Sequence, residues 1–419
     1  MYNNLKIPIY FFFIGSLFLG LYFGENSSGG GKIDHEYLFP FILNFNDSFL
    51  KGLITFIENK GSLIHSPAFY ILISYLYSFT ENIIHIKIIY ILISSILPFL
   101  FFLILSEKFR SQNFSIFLFS LVIFLSPYFR SSAIWILGDN LSLLFLATSI
   151  LFLIKKKISY EKRFYDYLLS LIFLILCCYV RYYYCIYFLY YLFIYFKYLK
   201  KNDFIKILLY SFFLSIPAIG YFLFVILNYD FLNTLSTFGT INYFSNSLII
   251  LSILLFYLIP IIILKRKEFI QFFLKSKINI VFILTLSICS FFIDYFIYEN
   301  LINFSNLGGG FFIKFLKISD IDNSILLLFS AISLIALDFI FKEDRINNYL
   351  ILIILVVSLP LYSIFQKYLD PLFYFLFFGL INSRQINKNF ICNIFNSSFL
   401  LAYYFIFFVT SIFYYEVIL

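Results

Sequence analysis

The residues of this chain that can do chemistry are few and sit in short polar segments. Asp34 and Glu36 flank His35 in GGGKIDHEYLFPF, just past the first membrane-length apolar run. A carboxylate there can take a proton from a hydroxyl or bind a divalent cation. Asp139 stands in RSSAIWILGDNLSLLF at the mouth of a later apolar run, where an acid caps a helix or serves a site. Arg181 interrupts CCYVRYYYCIYF, where it snorkels or meets an anionic lipid head group. Lys314 and Lys317 fall three apart in FFIKFLKI, so a helix puts both ammonium groups on one face. That face suits phosphate contact or anchoring at a membrane surface. FQKYLDP adds Lys367 and Asp370 in one tight turn, and His65, Arg130 and Glu299 complete the polar set.

The elements that must position these groups are apolar helices. Hydrophobic residues make up 62% of the 419-residue chain and charged residues 12%, against about 25% charged in soluble domains. The composition predicts an all-α, polytopic integral membrane protein, a single domain over 1–419. Walker A, GxGxxG, HExxH and GxSxG motifs are absent, three His cannot build a multi-histidine cluster, and none of the five Cys has metal-type spacing. The abundance of Phe and Tyr reads as AT-biased coding. The net charge of +8 lies in short loops, which is a topology signal and not a nucleic-acid signal.

The basic clusters fall at Lys6, Lys108/Arg110, Lys155–Lys157 with Lys162/Arg163, Lys197–Lys206, Lys265–Lys277, Lys342/Arg345 and Arg384/Lys388. Placing all of them in the cytoplasm predicts thirteen spans with the N-terminus inside. The spans are 5–24, 83–105, 113–128, 139–154, 166–180, 183–196, 207–227, 247–264, 278–297, 323–341, 347–365, 370–383 and 397–415. The run Ala68–Phe79 is too short to cross, and a crossing there would invert every later basic loop. It is therefore expected as an interfacial or re-entrant helix on the outer face. Two outer segments are long, 25–82 and 298–322, and each carries a Gly triplet that predicts a flexible loop.

Together these features resemble the GT-C superfamily of lipid-linked-sugar glycosyltransferases. The resemblance lies in the acidic IDHEY after the first span, in HSPAFYILISYLYSF as an interfacial helix, and in the second acid of RSSAIWILGDN. The stretch from FFLILSEKFRSQNF to LGDN is similar to the same region of bacterial oligosaccharyltransferases, which also have thirteen spans and a flexible outer loop after the ninth. Those enzymes carry a second acid beside the equivalent of Asp139 and a soluble C-terminal domain. A monosaccharide transferase, similar to protein O-mannosyltransferases or lipid A aminoarabinose transferases, is the expected type. The resemblance implies a polyprenyl-phosphate-sugar donor, membrane lipids as surroundings, and an active site on the outer face of a bacterial inner membrane. It implies Asp34 as base with Glu36 assisting. It implies Arg181, Lys314, Lys317 and Lys367 on the donor phosphate, and His65, Arg130 and Asp370 lining the acceptor side. Asp34, Asp139 and Glu299 would hold a divalent metal, Mg or Mn, where one is used.

Two other classes fit the same composition. A transporter or flippase of lipid-linked saccharide needs a mid-membrane site and internal repeats. Only Asp294 and Asp338 approach that depth, and no repeat is visible. A surface-polysaccharide polymerase or ligase would use the same donor and differ in its product.

Overall fold

A chain this apolar must satisfy its own backbone hydrogen bonds, and it does so in helices. The computed structural model describes residues 2–59, 65–155, 160–228, 243–297, 309–320, 325–359 and 363–415. Among them there is no strand, only an isolated bridge between Gly309 and Phe365. The chain divides into two compact units, Met1–Thr237 with Leu401–Leu419, and Phe238–Leu400.

Among the described residues, six helices are long and apolar enough to cross a membrane: Lys6–Phe23, Ile83–Phe109, Arg163–Val180, Lys201–Leu227, Tyr243–Leu264 and Ile394–Phe413. Each coincides with an expected span. Two bent pairs raise the number to eight if each is one crossing. Gly138–Ile154, Ile325–Phe341 and Arg345–Val357 are apolar but shorter. The expected span 113–128 shows what breaks a run. Ser126 accepts from the Phe129 N–H at 3.0 Å and Pro127 takes the first helical position, so a new helix starts there and the chain turns by 64°. The helix in the expected span 347–365 stops at Val357, and residues 360–362 lie outside the described residues. The expected span 370–383 holds only Leu372–Tyr374 and a π-helical turn, Phe375–Leu380.

In the first unit, α1 (Lys6–Phe23) leads into a segment expected as a long loop. That segment is helical: α2 (Gly31–Asp47), α3 (Phe49–Glu58) and α4 (Pro67–Thr80). They close on an aromatic core in which Phe56 lies 5.3 Å from both Phe41 and Tyr70, ring to ring. α4 matches the short helix expected at 68–79. HSP starts it: Ser66 accepts from the Ala68 N–H, and Pro67 fills the first turn.

The first Gly triplet is a packing device and not a hinge. A Cβ on Gly29 would come within 2.1 Å of the Tyr415 ring, and one on Gly31 within 2.2 Å of Ser131 Oγ. Gly29 also has φ +76°, which glycine adopts without penalty. In the second unit Tyr243–Leu264 packs along Ile325–Phe341. The described part of the second triplet is equally fixed. Gly309 N–H donates to the Ile364 carbonyl at 2.7 Å, and a Cβ on Gly310 would meet Ile253 at 2.4 Å.

Candidate functional site

The first unit gathers charges from three distant parts of the chain. Gly138–Ile154 and Tyr160–Val180 pack side by side, which sets Asp139, in the first turn of one, next to Arg181, just past the end of the other. Arg181 Nη2 donates to Asp139 Oδ2 at 3.0 Å. Its Nη1 meets His65 Nδ1, carried in by the residue pair that starts α4. A guanidinium only donates, so Nδ1 is the accepting atom of this contact.

Buried Tyr70 lies within electrostatic reach of this cluster. Burial pushes its phenol well above the usual range. Arg181 pulls the other way, while Asp139, Asp34 and Tyr37 push further up. Both acids, Asp34 and Asp139, therefore act on the same buried hydroxyl. Arg181 and Asp139 keep 12% and 18% of their side-chain surface exposed, so the pair is only partly closed off.

Glu36 does not join Asp34. On a helix, residues two apart point to different faces. Asp34 in α2 is half-buried on the Tyr70 side, whereas exposed Glu36 acts with Lys32 on Lys87. His35, between them, is buried against Phe39 and Trp135, with ring centroids at 5.5 and 6.0 Å. Its pKa falls to about 4, first through burial and then through the nearby Lys87 ammonium.

Arg130 is engaged elsewhere. Its Nε donates to Glu25 Oε1 at 2.8 Å, Nη1 to Ser16 Oγ at 2.9 Å and Nη2 to the Ser16 carbonyl at 3.0 Å. The guanidinium carbon lies 4.6 Å from the Phe408 ring centre. Trp135 Nε1 donates to the Glu25 carbonyl at 2.8 Å. These bonds fasten α1 to Pro127–Trp135. Glu25 carried no weight in the sequence reading. The available signal was an acid placed directly after Gly24, which ends α1 in the left-handed conformation.

In the second unit the segments bearing Lys314, Lys317, Lys367 and Asp370 are tied together. Phe311 N–H donates to Gln366 Oε1 at 3.0 Å, and Gln366 Nε2 donates to the Tyr257 hydroxyl at 2.8 Å. Phe311–Ile318 is a helix, as the spacing of the two lysines predicted. Burial, then Lys317, lowers the Lys314 ammonium to about 8. Lys367 lies over the Phe365 ring at 5.4 Å, and Asp370 is buried. Asp338, one of the two deep acids, pairs with Arg345 at 3.3 Å and accepts from the Tyr349 hydroxyl at 3.1 Å. Glu299 and the Asp294 side chain lie outside the described residues.

The expected metal set was Asp34, Asp139 and Glu299. Among the described residues no three His, Cys, Asp or Glu side chains group as metal ligands, and Asp139 Oδ2 is held by Arg181. No protein-family model, curated protein or solved structure matches this chain.

Proposed function

We propose that the chain is a membrane glycosyltransferase that takes a sugar from a polyprenyl-phosphate donor and adds it to a lipid, glycan or protein acceptor. The observation that carries this reading is the contact of Arg181 with Asp139 and His65, with Asp34 acting electrostatically on the same Tyr70 phenol as Arg181 and Asp139. Acids that can take a proton beside a cation that can hold a phosphate are the two requirements of such a transfer. The thirteen-span arrangement with N-terminus inside belongs to the same proposal. So does the active site on the outer face of a bacterial inner membrane, with six basic loops kept on one side.

The acceptor oxygen attacks the anomeric carbon as the bond from that carbon to the phosphate oxygen breaks. The bonding pair leaves with the polyprenyl phosphate, and the acceptor proton passes to Asp34. Charge grows on the leaving phosphate, and Arg181 lowers the barrier by meeting it. Asp139 orients that guanidinium at 3.0 Å. A guanidinium has five N–H donors, so contacts to Asp139 and His65 do not exhaust it. Lys314, Lys317 and Lys367 remain proposed donor contacts, with Asp370 lining the acceptor side. A Mg or Mn ion on Asp34 and Asp139 would need Glu299 as third ligand, and activity after chelation decides that form.

The test is release of polyprenyl phosphate from a panel of labelled polyprenyl-phosphate sugars by purified protein. Wild type is expected to release it, and Asp34→Asn to slow release by about 10²–10⁴-fold, the usual worth of a general base. Equal release by wild type and Asp34→Asn would remove the base assignment. No release by folded protein across the panel would remove the transferase reading and favour a transporter.

A further inference from the structure

The second unit carries an open pocket of about 480 Å³ with a mostly charged and polar lining. Lys265, Lys342 and Arg384 line it together with Glu268 and Glu343, above an apolar wall of Phe339 and Ile340. Lys265 follows the last residue of Tyr243–Leu264, and Lys342 follows Phe341 of Ile325–Phe341. Cations at two helix C-termini are ordinary, since they meet the negative end of the helix dipole. Arg384 has no such explanation, because it sits on the connection between Phe375–Leu380 and Lys388–Ile391.

That connection is built to hold its shape. Asn348 is fully buried and clamps Asn382 both ways: its Nδ2 donates to the Asn382 carbonyl at 2.8 Å, and its Oδ1 accepts the Asn382 N–H at 3.1 Å. Asn382 Nδ2 donates to Asp344 Oδ2 at 3.1 Å. Ser383 Oγ then accepts the Gln385 N–H at 3.2 Å. Among the described residues the only ion pair within the lining is Lys265 with Glu268, at 3.3 Å. Lys342 and Arg384 thus face the cavity with their charge uncompensated by an ion pair. The clamp fixes the backbone that carries the exposed Arg384, so less of the chain has to be ordered when an anion binds beside it.

We propose that this cavity binds a phosphate-bearing group, held by Arg384 and Lys342. Guanidinium recognises phosphate through paired N–H donors, and a lysine beside it adds a point charge. The inference does not depend on the residues assigned to transfer.

The experiment uses the full chain in phosphatidylcholine nanodiscs, with and without phosphatidylglycerol, and reads retained lipid by native mass spectrometry. Competition with sn-glycerol 3-phosphate distinguishes a lipid head group from a soluble phosphate compound. Phosphatidylglycerol is expected to be retained over phosphatidylcholine. Arg384→Gln and Lys342→Gln should each weaken retention by about tenfold, the worth of one charge-assisted hydrogen bond. Arg384→Lys should lose less. Lys275→Gln, an exposed lysine outside the cavity, should stay within about twofold. Displacement by glycerol phosphate with the same Arg384 dependence assigns the site to a soluble phosphate. Equal loss in Lys275→Gln, or phosphate binding of neither kind, overturns the proposal.

Discussion

The first unit contains two arginine–acid pairs that look alike in sequence and differ in structure. Arg130 and Glu25 are closed off, with 5% and 8% of their side chains exposed, and the guanidinium is also bound by Ser16 and covered by Phe408. Arg181 and Asp139 keep more than twice that exposure, and His65 is the third partner. A closed pair cannot exchange partners without exposing a buried charge, so it fastens helices. An open pair can trade contacts with an incoming anion, so it can serve a site. The charge types alone do not distinguish the two.

Breaking the closed pair should have the largest effect. Arg130→Met leaves Glu25 buried and alone, and should cost about 3–5 kcal/mol of stability, read by thermal or denaturant unfolding in detergent. Adding Glu25→Met should recover most of the loss, because an apolar pair of similar volume replaces the ion pair. If the single variant were as stable as wild type, the fastening role would be lost.

Breaking the open pair should act on chemistry instead. Arg181→Met is expected to slow donor release by about 10²–10³-fold, the usual effect of removing one donor to a developing anion. Its melting temperature should move far less than that of Arg130→Met. A matched drop in stability would make Arg181 a second fastener.

Acid should loosen the closed region before the open one. His35 packs on Trp135, which in turn binds the Glu25 carbonyl. Its folded pKa of about 4 lies below the ordinary 6.5, so below pH 6.5 the unfolded chain binds more protons than the folded one. Stability is therefore present above pH 6.5 and is lost as pH falls towards 4. Between pH 7 and pH 5 the loss should be about 2 kcal/mol, and His35→Phe should flatten that slope. The smallest effect is expected at Glu36. Glu36→Gln should change donor release by less than about twofold, because its helix face looks to Lys87 and not to Asp34. A loss as large as that of Asp34→Asn would restore Glu36 to the site.

The sequence by itself determined that the chain is helical and built for a membrane. With 62% hydrophobic residues in long unbroken runs, helices are the way to satisfy the backbone away from water, since barrel strands are short and alternate. It also placed the short helix at Pro67–Thr80 and the paired-lysine helix at Phe311–Ile318, because caps and side-chain spacing are local properties. Its polar residues at segment ends included both Asp139 and Arg181. The helical form of 25–82 was not legible: Gly29–Gly31 reads as a hinge until Tyr415 and Ser131 are seen filling the space beside it. Nor was the sorting of charges into fasteners and site residues. Arg181 meets Asp139 across 42 residues, and Arg130 meets Glu25 across 105. No spacing rule reaches that far, since such pairs form only when packed helices bring their ends together. Tertiary structure alone decided which arginine was closed over and which was left open.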